Sequence, residues 1–420
     1  MTEQGLHQIA IIGGGAAGFF SAITAAKLAS EKGLTAEVTI FESSSQYLKK
    51  VKISGGGRCN VTHNLFEPRD FCQNYPRGQR ELLSPMQQFQ AKDTVAWFEE
   101  AGVYLVAEAD GRMFPDTNTS QTIIDCYMDM VKKYNITLKP RSPVKGIKAL
   151  PDGKVSLEIK DQGEFIADAV LIATGSAPAG YLLADSAGHT ITERAPSLFS
   201  FKIEDPLISE IPGLSFPQSS LKLKLPGKKT FKQDGPTLIT HWGLSGPAIL
   251  KLSAWAAREM KRADYKATLI INWLGSKDEQ EVEYLITGIK NESTKSLLKN
   301  VYPTDLPKRF WLKVLSKGKI DPDKQWANLS KKDLNFIVRT MVNSELEILG
   351  QNRFKDEFVE CGGVNLKEVN FKSMESKICP GLYFAGEILD VDGITGGFNF
   401  QNAWTTGWIA AQHMVTKIKP

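Results

Sequence analysis

Residues Ile9-Ala-Ile-Ile-Gly-Gly-Gly-Ala-Ala-Gly18 restrict this chain more than any other stretch. Ile9 to Ile12 is a short apolar run cut off by glycine, the pattern of a buried strand. Gly13, Gly15 and Gly18 follow at G-x-G-x-x-G spacing. In such a turn the first glycine makes the tight bend and the second lets backbone approach a pyrophosphate. The third lets the next helix lie close to the sheet. That helix is predicted over Ala16 to Ser30, its N-terminus presenting free N–H groups and partial positive charge to phosphates. Ala36 to Phe41 supplies a second apolar strand, and Glu42 stands at its end, placed for ribose hydroxyls. A glycine turn alone is a weak sign. Strand before, helix after and an acid closing the next strand make it a dinucleotide site.

At 420 residues the chain is long for one domain, and its ordinary apolar and charged content suits a globular protein with a large core. The net charge of +4 is dispersed, so pairs such as Lys49-Lys50 and Lys331-Lys332 read as solvated faces and no nucleic-acid partner is expected. Five cysteines, Cys59, Cys72, Cys126, Cys361 and Cys379, are widely spaced with no C-x-x-C. That pattern argues against a disulfide framework, a zinc site or a thioredoxin-like pair, and no metal is expected. Ile9 to Ala26 is uncharged, but glycines interrupt it and no Lys or Arg precedes it. Neither a signal peptide nor a membrane span fits, and a reducing, cytoplasmic setting is expected.

Further along, Ser54-Gly-Gly-Gly-Arg-Cys-Asn60 is too polar and glycine-rich for a strand or helix interior. Its glycines can bring backbone against a flat ligand, with Arg58 and Asn60 as donors and Lys52 facing phosphate or an anionic ring. Cys59 has no partner cysteine nearby, so a packing role is expected of it. Gln87 to Ala101 reads as helix, and Thr119 or Ser120 caps another reaching Tyr134. Val144 to Leu150, Lys154 to Lys160 and Glu164 to Ala173 read as a three-stranded meander, the last run ending in Ala173-Thr174-Gly175.

From Pro196 prolines punctuate short β segments, and Ser245 is expected to cap a helix beginning near Pro247. Lys266 to Leu274 reads as a strand, whereas Glu279 to Leu349 reads as charged and helical. The terminal part returns to strand–glycine patterns. Gly381 to Glu387 is a strand ending in an acid, and Gly393 to Asn402 is a polar glycine loop opening a helix over Ala403 to Thr416.

Three of these features, Gly13-x-Gly15-x-x-Gly18 with Glu42, Ala173-Thr174-Gly175 and Ala385-Gly386-Glu387, resemble the FAD-binding fold of the glutathione-reductase type. Longer blocks carry a closer match. Ser54 to Asn60, Thr240-His-Trp-Gly-Leu-Ser-Gly-Pro-Ala-Ile-Leu250 and Gly386 to Gln401 resemble the BaiN-like or aminoacetone-oxidase-like bacterial NAD(P)/FAD-dependent oxidoreductases. The resemblance implies an α/β fold, with a Rossmann-like FAD-binding domain interrupted by a β-barrel-like unit and a small helical unit. The expected boundaries are 1–195 and 355–420 for the FAD domain, 196–275 for the β-rich insert and 276–354 for the helical insert. The expected cofactor residues are Gly13, Gly14, Gly15, Ala16, Ala17, Gly18, Glu42, Ser43, Lys52, Ser54, Gly55, Gly56, Gly57, Arg58, Cys59, Asn60 and Val144. To these the later blocks add Ala173, Thr174, Gly175, Gly386, Glu387, Gly396, Gly397, Phe398, Asn399 and Gln401. The chain departs from the family at Ser176 to Tyr181, which is shorter and less glycine-rich, and at Glu360-Cys361, where small or hydroxyl residues are usual.

The implied activity is FAD-dependent oxidation or reduction of a small organic substrate. No second strand–glycine turn–helix unit follows the first, so a nicotinamide donor such as NAD(P)H, if used, binds transiently over the flavin. His241 is the expected proton donor or acceptor, with His63 as second candidate. An electron-transfer or partner-binding flavoprotein and an FAD-dependent RNA-modifying enzyme are the alternative readings.

Overall fold

The computed structural model describes residues 6–227, 229–352 and 359–418. These fall into two compact units, one within Met1–Ala195 and Lys355–Pro420, the other within Pro196–Phe354.

The first unit is built on a seven-stranded sheet. Its five consecutive strands Leu382–Phe384, Ala169–Ile172, His7–Ile12, Ala36–Phe41 and Thr137–Lys139 run parallel. Two short antiparallel strands, Glu375–Ser376 and Val369–Asn370, finish the edge beyond Leu382–Phe384. Because both faces are covered, the central strands are apolar throughout: Ile9, Ala10 and Ile11 are wholly buried, as are Val170 and Leu171. Helices Ala16–Glu31 and Phe398–Thr416 pack on this sheet. Between them and the helices Ala91–Glu100 and Gln121–Lys133 lies an aromatic cluster. Phe20 sits 4.6 Å from Trp97 and 5.3 Å from Trp404, ring centre to ring centre.

Three elements of this unit differ from the sequence expectation. The last helix starts at Phe398 rather than Ala403, and so takes in residues up to Asn402 expected in the glycine loop. The run Glu164 to Ala173 is two strands, not one: Gly163–Ala167 completes the antiparallel meander, and Ala169–Ile172 joins the parallel sheet. Asp168 makes the break, accepting the Gln8 N–H at 2.8 Å while its own N–H goes to the Gln8 carbonyl. Likewise the helix read over Gln87 to Ala101 is two helices, Gln79–Gln88 and Ala91–Glu100. Phe89 is extended between them, and Gln90 with Asp93 forms a capping box that starts the second.

The second unit contains a closed six-stranded antiparallel barrel. In order around it come Ser200–Ile203, Gly243–Ser245, Thr230–Thr240, Ser215–Lys224, Ala267–Asn272 and Ser344–Asn352. The last strand lies in the stretch expected to be helical. Its residues alternate, with Leu346 and Ile348 buried and Glu345 and Glu347 exposed, which is the period of a strand with one face on a core. Its pairing with Ser200–Ile203 on one side and Ala267–Asn272 on the other closes the barrel. Helices Glu279–Glu292, Lys308–Lys317 and Lys331–Val342 share the barrel's apolar core through Val282, Phe310, Trp311 and Ile337. The helix at Pro247 is capped by Gly246 (φ +97°), not Ser245, because Ser245 still belongs to the preceding strand.

Candidate functional site

The glycine turn follows the first parallel strand, and each glycine meets a different requirement. Gly13 has φ +112°, and a Cβ there would lie 2.5 Å from the Ala173 carbonyl oxygen. Gly18 faces back onto the turn, its would-be Cβ only 2.0 Å from the Gly13 oxygen. Gly15 is the opposite case, with open space where a side chain would begin. It caps helix Ala16–Glu31, whose N-terminus receives no side-chain capping bond. Backbone N–H groups and the positive end of the helix therefore face free volume, as an anionic ligand requires.

Glu42 holds the turn from the neighbouring strand. Its Oε2 accepts the Gly14 N–H at 2.8 Å, and its Oε1 accepts the Ser44 N–H at 2.7 Å and the Ser43 hydroxyl at 3.2 Å. The segment leading to Val144 runs alongside, with the Ser142 N–H donated to the Glu42 carbonyl at 2.8 Å. Tyr47 packs over the other side of the turn, in contact with the place a Gly14 Cβ would take. Its hydroxyl is buried without a hydrogen-bond partner among the described residues, and burial beside Glu42 pushes it up to about 12.

The later blocks arrive at the same place. The Ala173 N–H bonds the Ile12 carbonyl, and Ala385 N–H bonds the Ile172 carbonyl. Gly386 (φ +75°) approaches Ala17 so closely that a Cβ would stand 3.0 Å from the alanine methyl. Glu387 lies in front of Gly175, whose would-be Cβ is 3.3 Å from Oε2. Thr174, by contrast, turns its hydroxyl into the packing against Gly180.

In the segment Lys49 to Asn60 regular helix stops at Ser54 (ψ 148°), and Gly55, Gly56 and Gly57 all take positive φ. Side chains on Gly56 or Gly57 would meet nothing, so these two also border open space. Leu48 and Cys59 bracket the segment and adopt left-handed φ of 56° and 61° although both are buried. With its amide oriented to satisfy both ends, Asn60 donates to the Thr62 carbonyl at 3.0 Å and accepts the Gly397 N–H at 2.9 Å. The two glycine loops are thereby joined at the N-terminus of helix Phe398–Thr416, which begins at Gly397 with no side-chain cap.

Several expected cofactor residues use their side chains inside the protein. Arg58 pairs with Glu108 at 2.7 Å and lies 3.9 Å over the Phe114 ring, anchoring the loop. Cys59 is fully buried, and burial pushes its thiol up to about 12, so it is no thiolate nucleophile. Phe398 is buried, stacked on His63. Asn399 closes the turn at Gly393 with two bonds of 2.8 Å. Gln401 is wholly buried, accepting from Thr62 (2.6 Å) and Thr94 (2.9 Å) and donating to Thr405. Lys52 is exposed.

Other residues at the site carry no local sequence signal. Lys50 reaches Glu387 Oε2 at 2.7 Å and the Ser176 hydroxyl at 3.0 Å. Arg194 grips Glu360, donates to the Ser176 carbonyl at 3.2 Å and lies 4.2 Å over the Tyr181 ring. The two departures from the family pattern, Ser176 to Tyr181 and Glu360, are thus one connected cluster. Arg77 forms an ion pair with Asp392, a carboxylate with no exposure, 315 positions away. Only an identity of partners visible in the folded chain reveals these pairs.

The two histidine candidates differ. His63 accepts the Leu65 N–H at Nδ1 (3.2 Å), so Nε2 carries the proton it shares with the Asp110 carbonyl at 3.1 Å. It borders Gly396. His241 lies in the second unit at the turn between Thr230–Thr240 and Gly243–Ser245, exposed and without a hydrogen bond among the described residues. Among the described residues no group of three or more His, Cys, Asp or Glu could hold a metal, and no helix is long and apolar enough to cross a membrane.

The profile of the HI0933-like protein Rossmann domain matches residues 7–413. The chain belongs to the HI0933-like family. It is accordingly an FAD-dependent oxidoreductase with a Rossmann-type FAD-binding fold and a six-stranded barrel inserted into it. Among HI0933-like relatives it is 29% identical to the ribosomal RNA dihydrouridine synthase of Escherichia coli (strain K12), over 96% of this chain and 97% of that protein. Identity to the protein of that name from Haemophilus influenzae is 30%, over 96% of each chain. The 3-dehydro-bile acid delta(4,6)-reductase of Clostridium scindens is 26% identical over 97% of this chain and 98% of that one. In fold the chain is similar to a 3-ketosteroid-delta4-(5alpha)-dehydrogenase from Rhodococcus jostii RHA1, with TM-score 0.51 at 13% identity, covering 100% of this chain and 99% of that one.

The residues in the first unit fit an FAD. Gly15, Gly56 and Gly57 leave open space where Cβ atoms would stand, and the N-terminus of helix Ala16–Glu31 beside Gly15 carries no side-chain capping bond, as a bound diphosphate requires.

Proposed function

We propose that this enzyme hydrogenates a carbon–carbon double bond conjugated to a carbonyl, drawing its electrons from transiently bound NAD(P)H. The carrying observation is the state of the thiols. All five cysteines are buried and none is in a disulfide, so no disulfide of this chain relays electrons between flavin and substrate. Bound FAD supplies hydride transfer through its isoalloxazine ring. Gly13 to Ala17 and the helix behind them would hold the diphosphate, with Glu42, Ser43 and the Val144 segment at the adenosine end. Glu387 would serve the ribityl chain, and Gly55 to Gly57 with Gly396 and Gly397 would border the ring. The antiparallel second unit contains no parallel dinucleotide fold among its described residues, which favours a donor without a Rossmann domain of its own.

Uridine in ribosomal RNA is the substrate favoured by the relatives at 29% and 30% identity. A small conjugated ketone is the second reading, supported by the relative at 26% and by the dispersed charge of the chain. Both substrates place a double bond beside a carbonyl. His241 is proposed as proton donor, because its ring is exposed and uncommitted whereas both nitrogens of His63 are engaged.

The test is reduction of the purified flavoprotein with NADH or NADPH under nitrogen, followed by ribosomal RNA lacking dihydrouridine or by a 3-oxo-Δ4,6 bile acid. Mass gain of two hydrogens in a uridine fragment supports the RNA reading, and loss of enone absorbance supports the second. Reoxidation by neither substrate class sinks the proposal.

A further inference from the structure

We infer that Lys50 is the counter-ion of Glu387 at the cofactor groove, and that this ion pair sets how tightly FAD is held. The inference rests on the FAD assignment and goes beyond it by naming a residue outside every motif block.

Glu387 lies in front of Gly175, in a block that meets the first turn of helix Ala16–Glu31, where Gly386 touches Ala17. A diphosphate bound at that helix N-terminus brings two negative charges into the neighbourhood of this carboxylate. Without a cation beside it, the acid would repel the ligand it is placed to serve. Lys50 is that cation. Its ammonium stands 2.7 Å from Oε2, while the other oxygen, Oε1, accepts the Glu360 N–H at 3.2 Å. Its second bond, to the Ser176 hydroxyl at 3.0 Å, fixes it over the turn that follows Gly175. The Leu48 N–H is donated to the Gly14 carbonyl at 2.8 Å, so the start of the Lys50 helix is tied to the glycine turn itself. Arg194 holds the receiving side by bonding both Glu360 and the Ser176 carbonyl. Lys50 is 51% exposed and Glu387 18%, so the lysine contributes little to packing and its loss should leave the fold intact.

The experiment titrates apoprotein with FAD, following quenching of flavin fluorescence, with thermal melts of each apoprotein alongside. Uptake by the wild type tests the FAD assignment separately; no uptake would overturn that assignment, and this inference with it. Lys50→Met should weaken binding about tenfold or more with an unchanged apoprotein melt, and Lys50→Arg should stay within about threefold of wild type. In a Glu387→Gln background, Lys50→Met should cost less than twofold, because no carboxylate remains to neutralise. Equal losses with and without Glu387, or a Lys50→Met affinity within twofold of wild type, would overturn the pair's role.

Discussion

The α-carbon of Gly18 faces the carbonyl oxygen of Gly13 so closely that a Cβ would stand 2.0 Å from it. Gly15, three residues earlier, has nothing within 4 Å. One motif therefore contains a glycine demanded by the fold and a glycine that the fold by itself does not demand, and substitutions should separate them. Gly18→Ala is expected to destabilise the apoprotein by about 2–4 kcal/mol, since backbone must shift. Gly15→Ala should melt like the wild type but bind FAD roughly tenfold or more weakly. Paired thermal melts and FAD titrations check this, and equal melts for both variants would contradict it.

Glu42 ties Gly14 and Ser44 together through charge-assisted bonds of 2.8 and 2.7 Å. Removing the carboxylate in Glu42→Ala leaves the glycine turn unbraced. Each such bond contributes about 1.5–3 kcal/mol, so FAD affinity should fall by one to two orders of magnitude. Glu42→Gln, which keeps one acceptor, should fall between. Equilibrium dialysis against FAD reads the difference.

Arg77 and Asp392 form a buried pair, with side-chain exposures of 12% and 0%. Asp390 lies near the same guanidinium and accepts the Gly362 N–H at 3.0 Å. Arg77→Met would leave Asp392 charged and uncompensated, at an expected cost of about 3–5 kcal/mol. Arg77→Met combined with Asp392→Leu should recover most of that loss in urea melts. No recovery in the double variant would show that the pair is not the source of the effect.

His189 is buried, and burial lowers its pKa below the ordinary histidine value despite the nearby Glu368 carboxylate at 3.2 Å. The unfolded chain therefore binds the proton first. Stability is full above the ordinary histidine pKa of about 6.5 and falls as pH drops from there toward the folded pKa. His7, lowered in the same way by burial, adds to this slope. Glu368, whose pKa is depressed chiefly through its bonds to Thr190 and the nearby His189, loses its contribution at lower pH, as it protonates. Melting temperatures between pH 7.5 and 5 should decline, and His189→Gln should flatten part of the decline. An unchanged slope in that variant would rule out His189 as its source.

Much of the first unit was legible because its signals are local. The roles of Gly13 and Gly18 depend on backbone a few residues apart, and strands His7–Ile12 and Ala36–Phe41 show themselves as apolar runs. The helix Gln121–Lys133 begins after Ser120, one of the two expected caps, yet the Ser120 hydroxyl bonds the Lys52 carbonyl at 2.7 Å. The sequence points to Lys52 for a phosphate or the ring and says nothing of Lys50, which meets Glu387. Two residues along a helix turn a side chain by roughly 200°, and nothing local says which side faces Glu387. Strand Ser344–Asn352 was missed for a related reason. Its alternation is short and follows a charged helical stretch, and its partners lie far back in the chain at Ser200–Ile203 and Ala267–Asn272.

Residue order alone was enough to establish a dinucleotide-binding turn, the glycine loops and the family to which they belong. Each depends on dihedral freedom and apolar period within a few neighbouring residues. Partner choice was decided only in three dimensions: Lys50 with Glu387, Asn60 with Gly397, Arg77 with Asp392, Gln401 with Thr62 and Thr94. These contacts join residues more than 300 positions apart. Packing of the Phe398–Thr416 helix against the opening βαβ unit brings them within reach, and no local preference of either partner encodes that meeting.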